Sequence, residues 1–173
     1  MATETKPPKD GTQTLALSIF VANKPGVLAR IAQVFSRRGF NIDSLVVSPG
    51  ADGNYSRMTV AASGDPEILD QIIKNVSKLV DVLRCVDHTG EDVITSELAL
   101  VKVAAKAEQR GSVLLIAEHF GCKTLDLSEK SMTFMATGDS AKIDACVKML
   151  QSYRILELVR TGKVLIARGD ELT

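Results

Sequence analysis

The chain has 173 residues, 45% hydrophobic and 24% charged, a balance that suits one globular domain or two small ones and excludes a disordered polymer. Lys plus Arg and Asp plus Glu both number 21, and aromatic residues reach only 4% with no Trp. That leaves neither the basic excess nor the stacking platforms of a nucleic-acid binder.

Taken in order, residues 1–11 mix Thr, Lys, Pro, Glu and Asp with no apolar leader and read as a mobile polar tail. Thr14 to Val21 is apolar, with β-branched and aromatic members, and predicts a strand that Asn23, Pro25 and Gly26 interrupt. Pro25 suits the first position of a helix, where its missing N–H would have had no partner. Val27, Leu28, Ile31, Ala32, Val34 and Phe35 then recur at three- and four-residue spacing, which predicts an amphipathic helix. Arg37 and Arg38 suit its negative end and Gly39 its left-handed cap. Asn41 to Ser48 and Tyr55 to Ala62 predict two strands of a hairpin across the turn-rich run Pro49 to Asn54. Asp65 and Pro66 open a second helix, with Ile68, Leu69, Ile72, Ile73, Val76 and Leu79 on one face. Val80 to Asp87 predicts a fourth strand.

Thr89 to Asp92 is polar and turn-prone, and divides a first domain at 12–88 from a second at 89–173. The pattern then repeats. Strands are predicted at Leu98 to Ala105, Lys123 to Leu127, Met132 to Ala136, Ile155 to Val159 and Val164 to Ala167. Helices are predicted at Glu108 to Phe120 and from Asp139 to Leu150. Gly64-Asp65, Leu69-Asp70 and Ile73-Lys74 correspond at one constant offset to Gly138-Asp139, Ile143-Asp144 and Val147-Lys148. The expected fold is therefore α+β, two ferredoxin-like βαββαβ domains in tandem. Open sheet edges and faces in such units are commonly closed by a second copy, so a homodimer is expected.

The chemistry concentrates between Asn23 and Ile42. The first amides of a helix lack internal partners and carry partial positive charge, so they can receive a carboxylate. Gly26 has no Cβ to hold a small ligand away, and Asn23 and Asn41 offer neutral donors and acceptors suited to an amino-acid backbone. The same residues equally suit an ordinary strand–turn–helix in which Asn caps and Gly turns.

Other chemistries find less support. No GxGxxG, Walker A loop or GxSxG elbow occurs. Cys85 with His88 and His119 with Cys122 could supply four zinc ligands, but the pairs fall at ends of elements in different repeats, and nothing in the proposed topology forces those ends together. An RNA-recognition module shares the βαββαβ order but needs aromatics on its central strands, where Tyr55-Ser56-Arg57-Met58-Thr59-Val60 stands instead. Three scattered cysteines and no run of about eighteen apolar residues point to a cytoplasmic protein without a membrane span.

Several stretches in order resemble the regulatory small subunit of acetohydroxyacid synthase, also called acetolactate synthase. They are Asn23 to Leu28, Phe35 to Ile42, Ser56 to Thr59, Lys78 to Leu83, Glu97 to Val103 and Arg160 to Gly162. The resemblance implies an N-terminal ACT domain and a second domain of related topology. It also implies a protein without catalysis of its own, which binds the catalytic large subunit, raises its activity and confers feedback by valine or another branched-chain amino acid. Thiamine diphosphate, magnesium and FAD would belong to that partner. The effector would lie between two ACT domains, with Asn23 and Gly26 from one chain and Asn41 from its mate; Val27, Leu28 and Ile42 adjoin those positions. Phe40 stands where the family often has Tyr, and Lys24 adds a charge beside the loop. A stand-alone amino-acid-binding regulator of another enzyme or of transcription is the alternative, although no DNA-binding helix pair is evident.

Overall fold

Leu15, Leu17, Ile19 and Val21 alternate along β1 (Gln13–Ala22), and all four are buried, as period-2 patterning against a core requires. The computed structural model describes residues 13–170 and 173. The expected tail at 1–11 lies outside the described residues. By internal packing the chain forms two compact units: one takes the described residues to Val93 with those from Leu165 onward, the other Ile94–Val164.

In the first unit β1 is followed by α1 (Val27–Arg37), β2 (Ile42–Pro49), β3 (Tyr55–Gly64), α2 (Pro66–Val76) and β4 (Val82–Asp87). The strands form one antiparallel sheet in the order β2-β3-β1-β4, with Leu17 opposite Val60 and Ile19 opposite Met58. Ile31 and Phe35 of α1 and Leu69, Ile72 and Val76 of α2 close the core over that face. Each such side chain contributes about 1.5–3 kcal/mol on burial.

The second unit repeats the plan with β5 (Ile94–Ala104), a 3-10 turn at Ala107–Gln109, α3 (Arg110–His119), β6 (Lys123–Leu127), β7 (Ser131–Gly138), α4 (Ser140–Leu150) and β8 (Ile155–Arg160); the short β9 (Val164–Ile166) falls at the division at Leu165. Its sheet runs β6-β7-β5-β8, the same path as in the first unit. Val101, Val103, Met132, Phe134, Ile143 and Leu150 form its core. The constant sequence offset is thus the offset of equivalent elements: α2 and α4 are both 11 residues long, and each follows a strand that ends in Gly.

Some boundaries differ from expectation for identifiable reasons. Pro25 is not the first helical residue. Gly26 adopts a left-handed conformation at φ +84° and stands at the N-cap, so α1 starts at Val27. Leu28, expected on the core face, is 41% exposed. Val80 is 98% exposed, and β4 begins two residues later. The predicted long helix after β5 opens as the 3-10 turn, in which Gln109 Oε1 accepts from the Lys106 N–H.

Both first helices end in the Schellman arrangement. After α1, Gly39 at φ +71° donates to Ser36 O at 3.0 Å and Phe40 donates to Phe35 O at 3.1 Å. After α3, Gly121 at φ +64° donates to Glu118 O at 2.9 Å and Cys122 donates to Ala117 O at 2.8 Å. In α4 the Asp139 carboxylate accepts from the Lys142 N–H at 2.7 Å, the N-cap read from the sequence. Among the described residues no helix is long and apolar enough to cross a membrane.

Candidate functional site

The turn between β1 and α1 is fixed from the hairpin beside it. The Asn23 N–H donates to Asn54 O at 2.8 Å, and its side-chain Nδ2 donates to Gly53 O at 2.9 Å. This leaves the Asn23 carbonyl oxygen as an acceptor. Lys24 N–H donates to Ala22 O at 2.9 Å, and Val27 N–H reaches Lys24 O only at a long 3.4 Å. Gly26 is needed here for its positive φ, and a Cβ on it would meet nothing within 4 Å. The backbone at Gly26 therefore faces open space.

Helix α1 begins with no side-chain cap and no acidic residue in its first turn. No side chain at its N-cap or in its first turn supplies a compensating negative charge, an arrangement suited to an external carboxylate. In the second unit α3 likewise starts with no side-chain cap and no acidic residue in its first turn, but a 3-10 turn carrying Glu108 leads into it.

The six candidate residues fall into two groups. Asn23, Gly26, Val27 and Leu28 lie at the start of α1. Asn41 and Ile42 lie beyond its end, and its 11 residues span roughly 16 Å. Val27 is 3% exposed and packed in the core, so its side chain is engaged there. Leu28 is available. Asn41 is exposed, its Nδ2 donating to Asp43 Oδ1 at a marginal 3.5 Å, and Ile42 packs partly on the core.

Asn41 and Ile42 line a shallow depression of about 490 Å³ together with Ala32, Phe35, Ser36, Gly39 and Phe40. Its apolar wall depends on a residue the sequence did not single out. A Cβ at Gly64 would lie 1.6 Å from Phe40 Cε1, so the Phe40 ring occupies the space a side chain would take. Gly64 reads in sequence as punctuation before the Asp65 helix start, and that reading hid its packing role. Asp43, also missed, accepts from Ser63 Oγ at 2.6 Å.

Three of the four residues weighed for zinc are otherwise engaged. Cys85 packs partly on the first core; burial, together with the Asp87 charge and against a hydrogen bond with Ser77, pushes its thiol up to about 11. The buried His88 ring sits between Ser18 Oγ at 2.8 Å and the Glu91 carboxylate at 2.7 Å. In the second unit, Cys122 faces Cys146. Among the described residues no group of three or more His, Cys, Asp and Glu could hold a metal ion.

Residues 17–84 match the family model described as AHAS small subunit-like ACT domain, and residues 96–169 match that for the small subunit of acetolactate synthase. The acetolactate synthase small subunit of Mycolicibacterium smegmatis is 41% identical over 160 residues, 92% of this chain and 94% of its own. The probable acetolactate synthase small subunit of Archaeoglobus fulgidus is 39% identical over 155 residues, 90% of this chain and 97% of its own. The crystal structure of the acetolactate synthase small subunit from Thermotoga maritima superposes with a TM-score of 0.81 at 32% identity, covering 92% of this chain and 99% of that one.

Proposed function

This chain belongs to the acetolactate synthase small-subunit family, and from that premise we propose that it makes the catalytic large subunit responsive to a branched-chain amino acid, valine first among them. In this reading the chain activates the large subunit and confers feedback inhibition on it, and carries out no reaction itself. Thiamine diphosphate, magnesium and FAD belong to the large subunit. Residues 12–88 form the effector-binding ACT domain and 89–173 the second domain. A cytoplasmic location goes with that role.

The observation that carries the proposal is the open start of α1 at Gly26, which has no side-chain cap. The effector carboxylate meets the first-turn amides of α1, and the Asn23 carbonyl oxygen accepts from its ammonium group. Asn41 supplies a second polar contact, and Leu28 and Ile42 receive the branched side chain. Val27 takes part through its backbone alone. Since Asn23 and Asn41 stand at opposite ends of α1, the complete site takes its two halves from two chains of a homodimer. Effector binding then favours one arrangement of that dimer, in proportion to its differential affinity for the arrangements available. A coupling of about 1–3 kcal/mol changes the large subunit's activity or affinity roughly 5- to 150-fold.

Calorimetric titration with valine, leucine and isoleucine, repeated on Asn41→Ala, tests this directly. Saturable binding by the native chain, weakened at least about tenfold in the variant, is the expected result. An Asn41→Ala chain that binds within twofold of the native one removes Asn41 from the site. A native chain that binds none of the three, alone or with the large subunit, overturns the effector assignment.

A further inference from the structure

Two thiols in the second unit face each other where α3 ends. Cys122 directly follows the left-handed Gly121 and is held by its N–H to Ala117 O. Cys146 lies midway along α4 and is 1% exposed, whereas Cys122 is partly exposed. Their sulfurs are 3.6 Å apart.

Lys142 stands four residues before Cys146, hence on the same face of α4. Its Nζ donates to Thr137 O at 3.0 Å and lies 3.9 Å from where a Gly121 Cβ would be. The surroundings polarise the pair. The hydrogen bond with Cys146, together with the Lys142 charge, outweighs burial and brings the Cys122 thiol down to about 7. The same contact, together with burial, pushes Cys146 up. One sulfur is thus partly exposed with its thiol lowered, and the other is sheltered beside it with its thiol raised, the division of labour between an attacking and a resolving cysteine.

We propose that Cys122 and Cys146 are a reversible oxidation site whose substrate is a hydroperoxide, with Cys122 the attacking sulfur and Cys146 the resolving one. With hydrogen peroxide, the Cys122 thiolate attacks one oxygen, the O–O bond breaks, and the departing hydroxide takes a proton to become water. Cys122 is then a sulfenic acid. The Cys146 sulfur next attacks the Cys122 sulfur, the S–O bond breaks, and the hydroxyl leaves as a second water with the Cys146 proton. Two thiols lose two electrons in all, and one peroxide is reduced to two waters. The sulfurs must close from 3.6 Å to the roughly 2.05 Å of a disulfide. The bond ties the end of α3 to α4. Cys85, its thiol held up to about 11, is the internal control.

The test uses the full chain, reduced and then given a small excess of hydrogen peroxide near pH 7. The intact mass should fall by about 2 Da and be restored by dithiothreitol, and digestion without reductant should yield a Cys122–Cys146 cross-linked peptide. Cys146→Ser should stop at a sulfenic acid on Cys122 that dimedone traps. Before oxidation, iodoacetamide should label Cys122 at least about tenfold faster than Cys85, and Cys122→Ser should lose that fast phase. Circular dichroism matching the native chain establishes that both serine variants are folded. Oxygen adducts on the native chain without a cross-link, cross-links through Cys85 or between chains, or equal labelling of Cys122 and Cys85 would overturn the proposal.

Discussion

Gly64 and Phe40 illustrate how a residue with no side chain can define a site's wall. The Phe40 ring covers Gly64 so closely that even one methyl group cannot be accommodated without moving the ring. Gly64→Ala is therefore expected to destabilise the chain by about 1–3 kcal/mol, the usual range for overpacking. The readout is a lower urea midpoint with an unchanged slope. Phe40→Ala in the same chain should relieve most of that loss, so the double variant is more stable than the sum of the two single effects predicts. Additive effects would mean that the ring does not rest on Gly64. Gly26 presents the opposite case. Space around it is open, and the requirement comes from the backbone alone.

At the scale of elements, one buried ion pair fastens the second unit together. Glu97 of β5 is 4% exposed, accepts from Arg160 Nε at 2.5 Å and Nη2 at 3.0 Å, and accepts from Ser140 Oγ at 2.9 Å. Arg160 of β8 also donates to Asp144 of α4 at 2.6 Å, so a strand pair and a helix start share one polar cluster. Burial pushes the Glu97 carboxyl up, but the hydrogen bonds from Arg160 and Ser140 and the Arg160 charge outweigh it and hold Glu97 below the usual carboxylate range. A folded-state value below the unfolded one means that this stability is present above the unfolded value of about 4.3 and is lost as pH falls through the folded value. Arg160→Met leaves a buried carboxylate without its partner and is expected to cost about 3 kcal/mol near neutral pH. Because the stranded Glu97 then favours its protonated form, its value in the variant is raised. The gap between native and variant should begin to narrow above the unfolded value of about 4.3 and go on narrowing until pH falls through the native folded value. Urea midpoints measured between pH 7 and pH 3 follow both effects. A gap that is constant across the range would exclude Glu97 as the titrating group.

At the scale of the whole molecule, the proposed effector site implies a complementation experiment. If Asn23 comes from one chain and Asn41 from the other, neither Asn23→Ala nor Asn41→Ala alone builds an intact site. In a mixed dimer of the two variants, one site carries both substitutions and the other carries neither. An equal mixture allowed to exchange subunits should therefore recover about a quarter of the native binding capacity, from twofold symmetry alone. Calorimetric stoichiometry reads this fraction, and no recovery after confirmed subunit exchange would place both residues in one chain's site.

The sequence by itself determined the two repeated βαββαβ patterns, because period-2 and period-3.6 burial, Asp139 as a cap and Gly39 and Gly121 as helix stops are local properties. It also marked the Asn23–Gly26 turn, since Asn, Pro and Gly at the end of a strand have few local alternatives. Tertiary structure alone decided which of those residues remain available. Val27 and Leu28 are neighbours of similar character, yet packing buries one and exposes the other. Contacts between distant positions were equally out of reach of local patterning: Asn23 with the hairpin at Gly53, Phe40 over Gly64, and Cys122 against Cys146. Each depends on where the sheet places residues some 24 to 30 positions apart, and no spacing rule along the chain encodes that.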